Sequence, residues 1–171
     1  MEHFNEPIPG WFTFADFYKS IVEKLPHNAK ILEAGTYKGK SFAYLAVEAF
    51  NSGKNIEVNG LDGFGWEDVK PAFDEFMKPL EGHYKVYKGN AAELSHQWPD
   101  HYFDFVFIDL SHAYPDTVND IRAYLPKVKP GGIIAGHDYH PEWPGVIQSV
   151  NEVFGGDYKF DWKEVIWWKQ L

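Results

Sequence analysis

Lys30-Ile31-Leu32-Glu33-Ala34-Gly35-Thr36-Tyr37-Lys38-Gly39-Lys40-Ser41 is the stretch whose reading decides the fold. A short apolar run carries an acidic residue near its end, two glycines follow four apart, and an amphipathic helical pattern then begins. This is how a buried parallel strand turns tightly into a helix, leaving backbone N–H groups and a carboxylate beside a ligand. Gly35 can take a geometry that a Cβ would forbid, and Gly39 lets the helix start lie close to whatever sits above it. A dinucleotide-binding turn would read G-x-G-x-x-G, with the middle glycine making room for a pyrophosphate. That glycine is missing here, which argues against a nicotinamide-dependent oxidoreductase.

Outward from this turn, strand-like and helix-like segments alternate without a linker or a repeat. The pattern predicts a first helix over Thr13 to Leu25, with Phe14, Phe17 and Ile21 on one face, bounded by Pro9-Gly10 and Pro26. Strand one covers Lys30 to Ala34, and the next helix runs from Lys40 to Phe50 with an apolar stripe of Phe42, Leu45, Ala46, Ala49 and Phe50. Ile56 to Asp62 reads as strand two, Glu67 to Leu80 as a helix with Pro71 in its first turn, and Tyr84 to Tyr87 as strand three. Ala91 to Trp98 is a short helix. Phe103 to Ile108 is almost unbroken apolar, as in a strand buried on both faces.

A helix from Asp116 to Val128 comes next, and Pro130-Gly131-Gly132 turns the chain into a fifth strand, Ile133 to Ala135. Gly145 to Phe154 reads as a helix, and Tyr158 to Phe160 and Val165 to Trp168 as two last strands. Alternating β and α segments give a parallel sheet with helices on both faces, a doubly wound α/β fold. The last two strands are joined too tightly for a crossover, so that pair is expected to be antiparallel. Trp167 and Trp168, adjacent on a strand, must point to opposite faces. An oligomer contact and ordinary packing under the flanking helices both account for them.

The 171 residues suit one domain, 1–171, large enough to bury roughly 70% of its unfolded surface. No apolar run approaches the ~20 residues needed to span a bilayer, and the first residues lack the basic start and apolar centre of a signal peptide. There is no cysteine, which excludes disulfides, thiolate catalysis and Cys-ligated zinc. A net charge of −9 disfavours nucleic acid, whose phosphates need clustered Lys and Arg. These features lead us to expect a cytoplasmic protein that handles small molecules, without membrane or nucleic-acid partners.

In an open α/β sheet, ligands bind beyond the carboxyl ends of the strands, near the switch in strand order. The polar residues there are Glu33, Asp62, Asn90, Asp109 and the trio His137-Asp138-Tyr139. A carboxylate at Asp62 can accept both hydroxyls of a ribose, or it can serve as a turn or cap aspartate. Asn90 is equally well placed for a turn.

The E-x-G-x-x-x-G-x-S pattern of Glu33 to Ser41 resembles motif I of class I S-adenosylmethionine (SAM)-dependent methyltransferases, in which the loop holds the methionine part of the cofactor. The resemblance covers the whole chain and implies a Rossmann-like, doubly wound, seven-stranded and mostly parallel sheet with one antiparallel strand at the C-terminus. It assigns Glu33, Gly35, Tyr37, Gly39 and Ser41 to the methionine end, Asp62 to the ribose and Asn90 to the adenine edge.

A second stretch, Phe107-Ile108-Asp109-Leu110-Ser111-His112-Ala113-Tyr114, is followed by Asp120-Ile121, Pro130-Gly131-Gly132 and Gly136-His137-Asp138-Tyr139. This series resembles the sub-family of macrocin-type sugar O-methyltransferases and cephalosporin-hydroxylase-like proteins. Carried over, Asp109 and Asp138 become ligands of a divalent metal, Asp109 also lies beside the cofactor, and His112 becomes the general base. The family pattern has a carboxylate where this chain has His137, so the metal set becomes Asp109, His137 and Asp138. An imidazole tilts the site from Mg²⁺ towards Mn²⁺, Fe²⁺ or Zn²⁺.

The resemblance therefore implies methyl transfer to oxygen on a sugar or other hydroxylated small molecule, with SAM as cofactor and Mg²⁺ or Mn²⁺ assisting. The bland alternative for each polar residue is a hydrogen bond within its own loop. The alternative for the protein is a SAM- or nucleoside-binding module, or a partner subunit, without catalysis. The chain has little beyond the core to build an acceptor site, so either the acceptor approaches an open cleft or a second copy completes the pocket.

Overall fold

The computed structural model describes residues 1–171. Seven strands, β1 (Lys30–Ala34), β2 (Glu57–Asp62), β3 (Lys85–Lys88), β4 (Phe103–Ile108), β5 (Val128–Gly136), β6 (Lys159–Asp161) and β7 (Ile166–Gln170), form one sheet. Their order is β3-β2-β1-β4-β5-β7-β6. The first five run parallel. β7 lies antiparallel between β5 and β6. This is the expected seven-stranded, mostly parallel arrangement with its antiparallel strand at the C-terminus.

Helices α1 (Ala15–Lys24), α2 (Lys40–Asn51) and α3 (Val69–Phe76) cover one face, and α4 (Ala91–Leu94), α5 (Tyr114–Tyr124) and α6 (Pro144–Phe154) cover the other. Side chains of β4 alternate between the layers: Phe105 and Phe107 pack with α1, and Val106 and Ile108 with the α5 and α6 side. Trp167 is buried in the second layer against Phe154, while Trp168 is half-buried in the first against Phe17. Ordinary packing thus accounts for both tryptophans. No helix is long and apolar enough to cross a membrane.

Several element boundaries differ from the sequence pattern, each for a local reason. β5 runs straight through Pro130-Gly131-Gly132, where a turn is expected. Its ladder with β4 slips between Phe103 and Phe105, and the chain end pairs there instead: Gly131 donates to the Leu171 carbonyl and Leu171 to that of Gly132. Three predicted helices are shorter than their patterns. The one at Glu67–Leu80 ends at Phe76, the one at Ala91–Trp98 ends at Leu94, and α5 ends at Tyr124 before Pro126. Gly60 lies inside β2, where a Cβ would strike Thr36 and Phe42. On α1 the buried residues are Tyr18, Ile21 and Val22, with Phe17 only half-buried. Phe50, at the end of the α2 stripe, is exposed.

The C-terminus of α1 has carbonyls with no partner inside the helix. The Lys54 ammonium, from the turn after α2, donates to those of Val22, Glu23 and Leu25 at 2.9, 2.7 and 2.8 Å. A cation at that end also opposes the helix dipole. Lys54→Met is expected to remove about 1–3 kcal/mol of stability, seen as a lower urea midpoint at an unchanged m-value.

Candidate active site

The strand order reverses at β1, which lies between β2 and β4. At this point the turn after β1 touches the end of β4. Gly35 has φ +101°, and a Cβ built on it would sit 1.7 Å from the carbonyl oxygen of Asp109. Only a glycine permits this approach, and the Asp109 N–H closes it by donating to the Ala34 carbonyl at 2.7 Å. From the other side, Asp62 at the end of β2 accepts from the Tyr37 N–H through Oδ2 at 2.7 Å and from the Phe64 N–H through Oδ1 at 2.6 Å. Each oxygen keeps a further lone pair.

Above these strand ends lies a cleft of about 1480 Å³. It exceeds the roughly 300–1,000 Å³ of a typical small-molecule pocket, so it has room for a cofactor and a second molecule. Gly35, Tyr37, Ser41, Asp62 and Asn90 line it, and so do Asp109, His112, His137 and Asp138. Two predicted contacts do not reach it, Glu33 and Gly39.

Glu33 points into the α1–α2 layer at 1% exposure, where Oε1 accepts from Ser41 Oγ at 2.6 Å and Oε2 from Tyr18 Oη at 2.9 Å. Burial pushes its carboxyl up to about 8, and the two donated hydrogen bonds pull it part of the way back. Gly39 starts α2 with its Cα face against Met77 and Phe73, so what sits above it is the α3 region and not a ligand. Asn90 lines the cleft but also caps α4, its Oδ1 accepting from the Glu93 N–H at 3.0 Å.

At the other end of the cleft, β4 and β5 bring Asp109, His112, His137 and Asp138 together. His112 Nε2 lies 2.7 Å from Asp138 Oδ2. His137 Nδ1 lies 3.4 Å from Asp138 Oδ1 and 3.7 Å from Asp109 Oδ2. Asp138 has φ +57°, a conformation aspartate tolerates, which turns its carboxylate towards both rings. One donor atom each from Asp109, His137 and Asp138 falls within 4.8 Å of the others.

Burial raises Asp109 to about 6 against the pull of His137. Burial would raise Asp138 too, but its contacts with His112 and His137 outweigh that and hold it below the usual carboxylate range. The hydrogen bond to Asp138 raises the His112 pKa, and Asp138 also outweighs the burial that would lower His137. The predicted metal set and predicted base therefore converge, with one qualification of role: Asp138 gives one oxygen to His112.

Sequence reading missed several residues here. Tyr18 reads as one of a crowd of core aromatics, and only the fold shows its hydroxyl on Glu33. Trp143 packs against His112 with ring centroids 4.0 Å apart and planes tilted by 43°, and Trp66 meets Tyr37 at 6.1 Å. Both line the cleft from loops. No periodicity marks a loop tryptophan as a site residue.

A family model described as a methyltransferase domain matches residues 32–139, from β1 to just beyond the His137-Asp138 pair. Among solved structures, the TDP-rhamnose 3'-O-methyltransferase of calicheamicin biosynthesis is 19% identical, with 91% of this chain and 76% of that one covered and a TM-score of 0.67. The O-methyltransferase NovP is 15% identical over 92% of this chain and 79% of its own, with a TM-score of 0.73. Cofactor-bound Rv0187 from MTB is 15% identical over 95% and 82%, also at 0.73. At such identities the likeness is one of fold. No curated protein matches the chain.

Glu33 yields a test of the buried chemistry. Its folded pKa, about 8, lies above its ordinary 4.5, so its stabilising contribution is complete below pH 4.5 and is lost as pH rises through 8. Asp109, raised to about 6, acts in the same direction over a lower window. Glu33→Gln keeps a neutral group of the same shape. Its stability is expected to fall less than that of the wild type between pH 5 and 8.5, by on the order of 1–4 kcal/mol, in urea melts across that range.

Proposed function

The chain belongs to the methyltransferase-domain family, whose model spans residues 32–139, and we propose that it methylates an oxygen of a sugar or other hydroxylated small molecule. The carrying observation is the meeting, in one cleft, of the Gly35–Asp62 end with the His112–Asp138 pair. Asp62, with lone pairs left over, suits the two ribose hydroxyls. The Gly35-Thr36-Tyr37 turn suits the methionine end, with Ser41 and Glu33 holding the turn from beneath. When bound, SAM supplies an electrophilic methyl group on its sulfonium.

The chain's own task is to bring up a hydroxyl and take its proton. His112 is bound to Asp138 through Nε2, which fixes the tautomer and leaves Nδ1 as the basic atom. Asp138 thereby strengthens the base while reducing the unprotonated fraction at neutral pH. Asp109, His137 and Asp138 form a donor set of two carboxylates and an imidazole, which suits Mn²⁺, Fe²⁺ or Zn²⁺ as well as Mg²⁺. An ion there would lower the pKa of the acceptor hydroxyl. Trp143, over His112, offers the flat apolar face that a sugar ring can lie against.

The charge of the cleft narrows the acceptor. Its charged lining is seven carboxylates against one lysine, Lys40, whose ammonium is already on the Glu6 carbonyl at 3.1 Å. So acidic a lining repels a diphosphate. The acceptor we favour therefore carries no phosphate, unlike the TDP-linked sugar named for the rhamnose methyltransferase.

Calorimetry with S-adenosylhomocysteine (SAH) is expected to give micromolar binding by the wild type and at least tenfold weaker binding by Asp62→Ala. His112→Ala is expected to keep that affinity and to lose methyl transfer by roughly 10²–10⁴-fold. SAH binding without turnover on any acceptor would favour the non-catalytic module. In a screen with labelled SAM, free neutral or amino sugars are expected to take up label and nucleotide-linked sugars to stay unlabelled. The reverse result would contradict the charge argument.

A further inference from the structure

The inward face of α5 is apolar but for two residues, Thr117, whose hydroxyl donates to the Ser111 and Ala113 carbonyls, and Asp120. Val118, Ile121 and Tyr124 are buried on it, and Asp120 is buried among them at 8% exposure. No hydrogen bond or ion pair reaches this carboxylate, and the part left open faces the cleft. A carboxylate so placed is costly unless a donor meets it. Burial, and then the nearby Asp116, push it up to about 6, as expected of a charge without a partner.

Its position indicates the donor. Tyr124, one turn further along the same face, donates its hydroxyl to the Ala91 carbonyl at 2.8 Å, so this part of α5 abuts the start of α4. Gly89, Asn90 and Ala91 line the cleft there. The first residue of α5, Tyr114, lies instead by α6, where Ser149 donates to its carbonyl. Six residues of helix, roughly 9 Å at about 1.5 Å each, separate Tyr114 from Asp120. Asp120 thus belongs to the Asn90 end of the cleft and not to the His112 end.

Asn90 is committed first to its own helix: its Oδ1 already accepts from the Glu93 N–H, which leaves one lone pair there beside the Nδ2 donors that suit a ring nitrogen. An amino group beside that nitrogen needs an acceptor, and the Asp120 carboxylate, open to the cleft and without a protein partner, supplies one at this end. We infer that Asp120 accepts a hydrogen bond from the 6-amino group of the cofactor's adenine and so selects adenine over a 6-oxopurine. The inference rests on the SAM reading above and adds the residue that reads the base.

Calorimetry with SAH and with S-inosylhomocysteine, in which an oxo group replaces the 6-amino group, tests it. The wild type is expected to prefer SAH. Asp120→Asn, nearly isosteric, presents an N–H in place of an acceptor. It should bind SAH about 10–100-fold more weakly and should reduce or invert the preference between the two ligands. Asp120→Ala should lose SAH affinity while leaving the oxo ligand equal or better. Variants that keep the wild-type preference, whether affinity is unchanged or both ligands weaken alike, would overturn the inference, since a merely structural role predicts that pattern. A wild type that binds no SAH would overturn the cofactor reading itself, and this inference with it, whereas SAH binding indifferent to Asp120 overturns this inference alone.

Discussion

The structure depends most on the contact between Gly35 and the carbonyl oxygen of Asp109. The strand ends at a switch point diverge, and a ligand site forms there only if the loops stay low and close. Here the absent Cβ of Gly35 is the space that the Asp109 carbonyl fills. The Asp109 N–H on Ala34 locks the approach, and Asp62 ties down the turn after β1 by accepting from Tyr37. Three strand ends are thereby joined through backbone groups and one carboxylate. The turn after β1 and the acid that begins the Asp109–His137–Asp138 cluster are consequently neighbouring backbone, not two parts that must find each other.

The fold was legible in the sequence because its signals are periodic or local. Strand runs such as Phe103–Ile108, the glycine turn at Gly35 and the short link before β7 each have one good structural solution. The slips lie where long-range pairing decides, as at Pro130-Gly131-Gly132, whose turn-like composition is overridden by pairing with the chain end. The site was legible in part for the same reason. Residues at strand ends, such as Asp62, Asp109, His137 and Asp138, are placed by the sheet. Glu33 was misplaced because strand parity, together with Tyr18 and Ser41, sends it inward. Asp120, though it lies in the second motif series, carries no role there, and Trp143 has no signature, since a carboxylate on a helix and a tryptophan in a loop acquire meaning only from their neighbours.

The buried acids show how one residue type is put to different uses by its surroundings. Glu33 is satisfied by two hydroxyls and no cation, so burial dominates and the group is held mostly neutral near pH 7. Asp138 is less enclosed and touches two imidazoles, so it stays charged. Asp109 lies between these cases, pulled up by burial and down by His137. A hydroxyl offers a dipole and an imidazolium a full charge, and in a low-dielectric setting that difference decides which carboxyl ionises. A neutral acid braces the scaffold, and a charged one holds two imidazoles.

The inward turn of Glu33 also explains why the N-terminal segment sits over the cleft. Gly10, Trp11 and Thr13 line the cleft from above, yet the residues before α1 have no sheet partner of their own. Ile8 and Phe14 anchor them in the apolar core, while Thr13 Oγ1 on the Glu164 carbonyl and the Glu6 carbonyl on Lys40 add exposed contacts of small net worth. The buried polar anchor is one turn into α1, where Tyr18 reaches Glu33 in the core. Hydrogen bonds shielded from water are the ones whose loss is most costly. The acid of the glycine-turn motif therefore does its work at second hand. It ties α1 through Tyr18 and α2 through Ser41 to the strand that carries the turn, so both sides of the cleft share one buried carboxyl as a polar link.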